Sequence, residues 1–273
     1  KVDNPEMITQ YRPISLCNVL YKIISKMLAG KLKSILPEII SPTQSAFVPG
    51  RLITDNVLIA YECVHKIKNK RAGQTGLCAV KLDMHKAYDR VEWIFLRSMM
   101  EKLGFHEQWI DMVMACVSSV RYKIRFNSQE TDMFVPSRGI RQGDPLSPLL
   151  FILCIDPLHR LLDAATRVGV LNPIPGAAAR MRTSLYADDA IIFANPDREE
   201  IDHLMHILQS FGDDSGLRIN LAKSTATPIH YNDIDLELVL QAFGGPIAHF
   251  PIRYLGLPIT TGRLRLVHLQ FIL

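Results

Sequence analysis

The stretch Ser184-Leu-Tyr-Ala-Asp-Asp-Ala-Ile-Ile-Phe-Ala-Asn195 decides the fold of this 273-residue chain. Two apolar arms, Leu185-Tyr186-Ala187 and Ala190-Ile191-Ile192-Phe193, flank the adjacent carboxylates Asp188 and Asp189. This is the grammar of a β-hairpin with a charged tip. Neighbouring carboxylates repel each other unless a cation sits between them, and most acidic turns are simply solvated. Here the arms make the pair project from a buried ribbon. A third carboxylate, Asp83, closes the short apolar run Leu77–Leu82, which follows Gly73 and Gly76 and predicts a buried strand. If the two strand ends converge, the three carboxylates can hold two Mg²⁺ ions about 3.5–4 Å apart. Magnesium prefers such oxygen ligands, with substrate phosphates completing its shell. Spacing alone leaves structural acids as the alternative.

The flanking sequence alternates irregularly between helix and strand patterns. Leu20, Ile24, Met27, Leu28 and Ile35 share one helical face, Lys22, Lys26 and Lys33 share another, and Pro37 is expected to end that helix. Helices are predicted over 91–103 and 106–118, separated by Gly104. A hairpin over 121–135 should turn at Asn127-Ser128. Asp144-Pro145 reads as an N-cap with proline at the first helical position, opening a helix towards Thr166. Residues 171–179 read as loop. Asp197 and Glu200 suggest a capping box for a helix carrying Ile201, Leu204, Leu208 and Phe211, closed by Gly212 and Gly216. The pattern is α+β.

Bulk properties narrow the class. No apolar run approaches the roughly 20 residues that span a bilayer, and the N-terminus lacks a secretory signal. There is no initiator Met, and the chain ends in an apolar segment, so it reads as part of something longer. The five cysteines are scattered and never at CxxC spacing, which suits buried thiols in a reduced protein. His203 and His206 read as a solvated pair. Net charge is +4, unevenly spread: residues 1–82 hold 12 Lys/Arg against 5 Asp/Glu, the remainder 19 against 22. A basic lobe facing an acidic one suits a protein that clamps phosphates above a carboxylate site; ordinary solvated surface is the alternative. Lys66, Lys68, Lys70 and Arg71 form a further small basic cluster, equally explained by a solvated loop.

Ordered motifs then carry a resemblance. Lys81-Leu-Asp-Met-His-Lys-Ala-Tyr-Asp-Arg-Val-Glu-Trp93 resembles motif A of reverse transcriptases, Arg141-Gln-Gly-Asp-Pro-Leu-Ser-Pro148 motif B and Tyr186-Ala-Asp-Asp189 motif C. Gly216-Leu-Arg-Ile-Asn220 with Lys223 is similar to motif D, and Tyr254-Leu-Gly-Leu257 to motif E. Upstream, Tyr11-Arg-Pro-Ile-Ser-Leu-Cys-Asn18 and Gln44-Ser-Ala-Phe-Val-Pro-Gly-Arg51 are similar to the finger blocks of non-LTR (LINE-type) retrotransposons, with the plant LINE-like subgroup the nearest likeness.

The resemblance implies an α+β right-hand polymerase fold of fingers and palm, lacking the thumb. Residues 1–80 would form the basic fingers, 81–260 the palm with interleaved finger elements, and 261–273 a truncated C-terminal segment. It implies an RNA-directed DNA polymerase that extends a DNA primer on an RNA template with dNTPs. Asp83, Asp188 and Asp189 would bind two Mg²⁺ ions, with Mn²⁺ as the alternative. Tyr88 would lie under the incoming sugar and exclude a 2′-hydroxyl, with a core tyrosine as its alternative. Gln142 and Gly143 would line the nucleotide pocket, and Arg51 would meet the triphosphate, as a bidentate guanidinium can, with a surface arginine as its alternative. Lys223 would protonate the leaving pyrophosphate, with a plain phosphate-facing lysine as its alternative, and Tyr254, Leu255 and Gly256 would form the primer grip, with a core turn as theirs.

His85 stands where the subgroup usually has Ser, and Leu221-Ala222 departs from the usual motif D. Thumb and endonuclease modules are expected elsewhere in a longer parent protein, and the location is expected to be intracellular, nuclear or cytoplasmic. The alternatives are an RNA-dependent RNA polymerase, against which Tyr88 argues, and a catalytically inactive retrotransposon remnant or maturase-like RNA-binding protein.

Overall fold

A computed structural model describes residues 6–7, 11–68, 76–174, 182–229 and 236–270. Of the small basic cluster, Lys66 and Lys68 belong to the helix Ile53–Lys68, whereas Lys70 and Arg71 lie outside the described residues, as do most of the 171–179 loop and the last three residues. In chain order the helices are α1 (Val19–Ile39), α2 (Ile53–Lys68), α3 (Ala87–Arg90), α4 (Trp93–Lys102), α5 (Glu107–Ser118), α6 (Ser147–Arg167), α7 (Arg198–Ser215) and α8 (Leu236–Leu240). The strands are β1 (Leu77–Leu82), β2 (Arg125–Phe126), β3 (Gln129–Glu130), β4 (Thr183–Tyr186), β5 (Asp189–Ala194), β6 (Thr225–Ile229), β7 (Ile252–Tyr254) and β8 (Leu257–Ile259). Among the described residues no helix is long and apolar enough to cross a membrane.

The central sheet runs β4-β5-β1-β6, antiparallel throughout. Period-2 alternation gives β1 and β5 two apolar faces rather than one. Cys78, Val80, Leu82, Ala190, Ile192 and Ala194 face a large core shared with α4, α6 and α7. Leu77, Ala79, Ile191 and Phe193 face a smaller core completed by Ala60, Cys63 and Val64 of α2 and by Ile252, Tyr254 and Ile259 of the β7–β8 hairpin. Burial on both sides explains why these strands read as continuous apolar runs. None of the five cysteines is paired in a disulfide, and Cys63, Cys78 and Cys154 are buried.

Several expectations are corrected by packing. The buried face of α1 is Ser25, Leu28, Ala29, Leu32 and Leu36. Leu20, Ile24 and Met27 instead stand 75%, 52% and 64% exposed. The apolar stripe was legible, but the buried face lies further round the helix, with Leu28 common to both, and it includes the polar Ser25, which bonds Asp144. Pro37 does not end α1; in the last turn its missing N–H removes a single bond, and the helix runs on to Ile39. Asp144 lies ahead of α6, which opens at Ser147, and its buried carboxylate accepts from Tyr21 Oη, Ser25 Oγ and the Leu146 amide.

Asp197 does cap α7, accepting from the Glu200 amide at 3.0 Å. The Glu200 carboxylate, however, does not turn back to the cap. It is buried against Arg182 Nη1 at 2.9 Å and accepts from the Asn172 and Asn195 amides at 3.1 Å each. Gly212 lies inside α7, and Gly216, at φ +79°, forms its left-handed C-cap. The helices at 93–102 and 107–118 and the turn at Asn127-Ser128, both with positive φ, agree with the sequence reading. His203 and His206 are exposed on α7.

Candidate active site

The register of the sheet brings the three aspartates to one end. Pairing of β1 with β5 runs to Leu82 opposite Ala190, so the next residues outward are Asp83 and Asp189. Pairing of β4 with β5 ends at Tyr186 opposite Asp189, which leaves Ala187-Asp188 as a two-residue turn. Asp189 is therefore the first residue of β5, between the other two strands, and Asp188 forms the tip with Ala187. Ala187 adopts φ +51°, the left-handed conformation that such tight hairpins require. Asp188 and Asp189 are exposed and Asp83 is half-buried.

Asp83 is held through its backbone. Its amide donates to Ser224 Oγ at 3.0 Å, and its carbonyl accepts from the Asn220 amide at 2.8 Å. The same strap continues with the His85 amide donating to Arg218 O at 2.9 Å and the Glu92 amide to Ser215 O at 3.0 Å. Motif D thus lashes motif A along its length. Lys223 sits on the turn of this strap and is exposed; its amide bonds Asn220 O at 3.0 Å.

Tyr88 lies in this neighbourhood. Its ring is half-buried and stacks on Phe151 of α6, centroids 5.0 Å apart and planes at 8°. Burial, and then the Asp188 carboxylate, push its phenol up to about 12. It remains a neutral hydroxyl beside the hairpin tip at physiological pH. Its backbone is tied to the motif B approach, since the Ile140 amide donates to Tyr88 O at 2.8 Å. Gly143 adopts φ +98°, a conformation that favours glycine, and a Cβ there would lie 3.4 Å from Ser15 O. Gln142 O accepts from the Ser15 amide at 2.9 Å, so the segment ahead of α1 docks on the Arg141–Pro148 stretch.

Two expected roles meet a different geometry. Arg51 turns its guanidinium onto main-chain carbonyls: Nη1 to Ser41 O and Gln44 O, both 2.6 Å, and Nη2 to Ile40 O at 2.9 Å and Pro37 O at 3.2 Å. It fastens the C-terminus of α1 to the following loop, so the bidentate fork expected to meet a triphosphate is already engaged. Burial lowers its pKa, opposed by Asp156. Tyr254 is fully buried, and its hydroxyl donates to Ser184 O at 3.1 Å and lies 3.0 Å from Ser184 Oγ. It anchors the β7–β8 hairpin to β4; in the turn of the expected primer grip, Gly256 is exposed at φ +81°, and Leu255, at φ +49°, is half-buried against the smaller core.

Other residues escaped the sequence reading. Arg141 places its guanidinium carbon 3.7 Å from the Tyr21 ring centroid and bonds Cys116 O, and together with Asp144 this ties α1 to α5 and α6. Asn56 Nδ2 lies 2.9 Å from both Ser184 Oγ and Leu185 O. Gln44 Oε1 accepts from the Ala187 amide at 3.1 Å. The sequence carries no local signal for these contacts: the partners of Asp144, Asn56 and Gln44 are more than 100 residues away, and Cys116 is 25 residues from Arg141.

Among the described residues, no three His, Cys, Asp or Glu side chains stand close enough together to enclose a metal ion. The donor chemistry nonetheless fits a hard divalent cation. The sheet end offers carboxylate oxygens, and no ion pair engages Asp83 or Asp188 among the described residues. Magnesium is usually held by one or two carboxylates with substrate phosphates rather than by a complete protein cage.

Residues 2–259 match the family described as reverse transcriptase (RNA-dependent DNA polymerase). The chain is 34% identical over 219 residues to the uncharacterized 149 kDa protein of transposon TX1 from Xenopus laevis, covering 80% of this chain and 16% of that protein. It is 30% identical over 267 residues to the Pol polyprotein of the retrotransposable element R2DM from Drosophila melanogaster, covering 93% and 24%. It thus spans under a quarter of the length of either relative. Among solved structures, telomerase from Candida albicans in complex with a telomeric RNA fragment superposes with a TM-score of 0.56 at 14% identity, over 89% of this chain and 37% of that one. The fold is accordingly the right-hand polymerase fold. With the sheet-end carboxylates, the stacked Tyr88 and these matches in place, the chain belongs to the reverse transcriptase family, among relatives from non-LTR retrotransposons.

Proposed function

We propose that the chain is the nucleotidyl-transfer domain of a retrotransposon polymerase, adding dNTPs to a DNA primer 3′ end on an RNA template. The observation that carries it is the register that levels Asp83 with Asp189 beside the Ala187-Asp188 turn, with Tyr88 electrostatically coupled to Asp188. Asp83, Asp188 and Asp189 would hold two divalent ions, Mg²⁺ or alternatively Mn²⁺. When bound, these supply charge neutralisation of the triphosphate and acidify the attacking hydroxyl.

The chain's own residues do the rest. Gly143 lets the motif B backbone approach the nucleotide. Tyr88, braced by Phe151, presents a flat neutral ring against the sugar. Lys223 offers a cation on the strap beside Asp83, suited to the departing pyrophosphate. Leu255 and Gly256 form the turn offered to the primer. The RNA template, the DNA primer and the plant LINE-like subgroup belong to this reading, as does a nuclear or cytoplasmic location.

The test is primer extension on an RNA template with Mg²⁺, comparing dNTPs with rNTPs. The wild type is expected to prefer dNTPs. Tyr88→Ala is expected to reduce that preference by about 10- to 200-fold, the range over which a single steric contact discriminates. Equal use of dNTPs and rNTPs by the wild type would favour an RNA polymerase instead. No extension by a folded wild type would favour a remnant or RNA-binding role.

A further inference from the structure

The strongest feature outside the carboxylates is the contact between the fingers and the edge of the palm sheet. β4 is the outermost strand on its side, and residues 43–45 run beside it. The Leu185 amide donates to Thr43 O at 2.9 Å, and the Ser45 amide donates to Leu185 O at 3.2 Å. Gln44 pairs with Leu185 as a parallel bridge. Its side chain is fully buried and reaches past β4 to the hairpin turn. There Oε1 accepts two amides, Ala46 at 2.9 Å and Ala187 at 3.1 Å. Two converging N–H groups fix the amide's orientation, because a flipped Gln44 would face them with its NH₂.

The Ala187 amide is a donor that a two-residue turn does not satisfy by itself, and Ala187 is a non-glycine residue at positive φ. Such a conformation costs energy and persists only where the surroundings over-determine it. The next two residues are Asp188 and Asp189. A hydrogen bond to the first turn residue therefore sets the pitch from which both carboxylates project. The bond to Ala46 locks Gln44 in place from its own side.

We propose that Gln44 is a positioning residue for the Asp188–Asp189 pair, a strut from the fingers that fixes the hairpin turn through the Ala187 amide. This rests on the reading of the hairpin as the carboxylate site of nucleotidyl transfer. A strut that merely filled space would matter to folding alone. A strut that aims the turn matters to kcat and to metal affinity, because displacement of reacting groups by about 1 Å can lower the rate about 10²-fold.

The experiment compares the wild-type chain with Gln44→Met, which keeps the length and removes the acceptor, and Gln44→Glu, which keeps an oxygen for both amides. In the wild type the Ala187 amide is expected to exchange with solvent more slowly than the neighbouring Asp188 amide. In Gln44→Met its exchange should accelerate, and Gln44→Glu should restore protection. Mn²⁺ binding, followed by electron paramagnetic resonance on the chain without nucleic acid, should weaken in Gln44→Met. In primer extension, kcat should fall about 10²-fold with the dNTP KM nearly unchanged.

Equal exchange at Ala187 in wild type and Gln44→Met overturns the proposal. So does faster exchange with wild-type kcat per folded molecule and wild-type Mn²⁺ affinity. If Gln44→Met fails to fold, the wild type decides: an Ala187 amide exchanging as fast as Asp188 overturns the strut, and a protected one supports it. Absence of extension by the wild type would refute the polymerase reading and leave the exchange result standing by itself.

Discussion

Asp188→Asn is expected to abolish RNA-templated primer extension while leaving the fold intact. The side chain is exposed at the tip of the Ala187-Asp188 turn, and asparagine keeps its shape, so packing is unchanged. What is lost is one full negative charge at the end of the sheet. A ligand to catalytic metal ions supports several kcal/mol of transition-state stabilisation, which corresponds to about 10³-fold or more in kcat. The melting temperature should hold or rise slightly, because one member of a like-charged pair is neutralised. The Tyr88 phenol should also titrate lower, since the Asp188 charge is one of the two causes of its elevation. Primer extension and thermal melting of the same preparations check both parts. Extension unaffected by the change would remove Asp188 from the metal site, and a collapse of the fold would make the residue structural.

Gly216→Ala is expected to cost more stability than a methyl at any of the other described glycines whose surroundings are known. A Cβ on Gly216 would lie 1.9 Å from Arg90 O, a backbone atom that cannot swing aside. The residue also sits at φ +79°, where an L side chain is strained. Strain at positive φ and forced repacking each cost about 1–3 kcal/mol, so a destabilisation of about 4 kcal/mol is expected. Denaturant unfolding measures it directly. A functional effect should accompany it, because Gly216 opens the strap that runs from the end of α7 to Asn220 and Ser224 at Asp83. At temperatures where the variant is still folded, kcat should fall more than the folded fraction does. A variant as stable as the wild type would show that the 90–92 segment moves freely, and the strap would then not be what holds Asp83.

The legible and illegible parts of the site divide along physical lines. Asp83, Asp188 and Asp189 were readable because each lies within a few residues of the apolar run that carries it. Period-2 alternation and hairpin grammar fix where such a residue points. Tyr88 and Gly143 were singled out through the resemblance alone, and the stack on Phe151 and the contact with Ser15 are set by the tertiary structure. Arg51 was misread because a guanidinium looks the same in sequence whether it faces a phosphate or four carbonyls. Only the course of the chain from Pro37 to Gln44 supplies those acceptors. Glu200 was readable as a helix-start residue but not as the partner of Arg182, which lies across the β4–β5 hairpin in a buried pair. The outward face of α1 was misassigned for the same reason. Leu20, Ile24 and Met27 have the right periodicity, yet the buried face is shifted around the helix to Ser25, Ala29, Leu32 and Leu36, with Leu28 common to both, and Ser25 there bonds Asp144 of a distant loop.

The hairpin over 184–195 therefore divides cleanly. Local sequence was enough for a two-stranded ribbon whose apolar arms carry adjacent aspartates at its end, and for a third aspartate ending another apolar strand, because these follow from interactions between residues close in the chain. The reverse transcriptase family was legible only as a resemblance carried by motifs in a fixed order. The tertiary structure alone decided that Asp83 and Asp189 stand level, that Tyr88 is braced by Phe151, that Tyr254 serves as an anchor, and that Gln44 holds the turn. Each of these is a contact between residues distant in sequence, whose partners are chosen by strand register and buried hydrogen bonding.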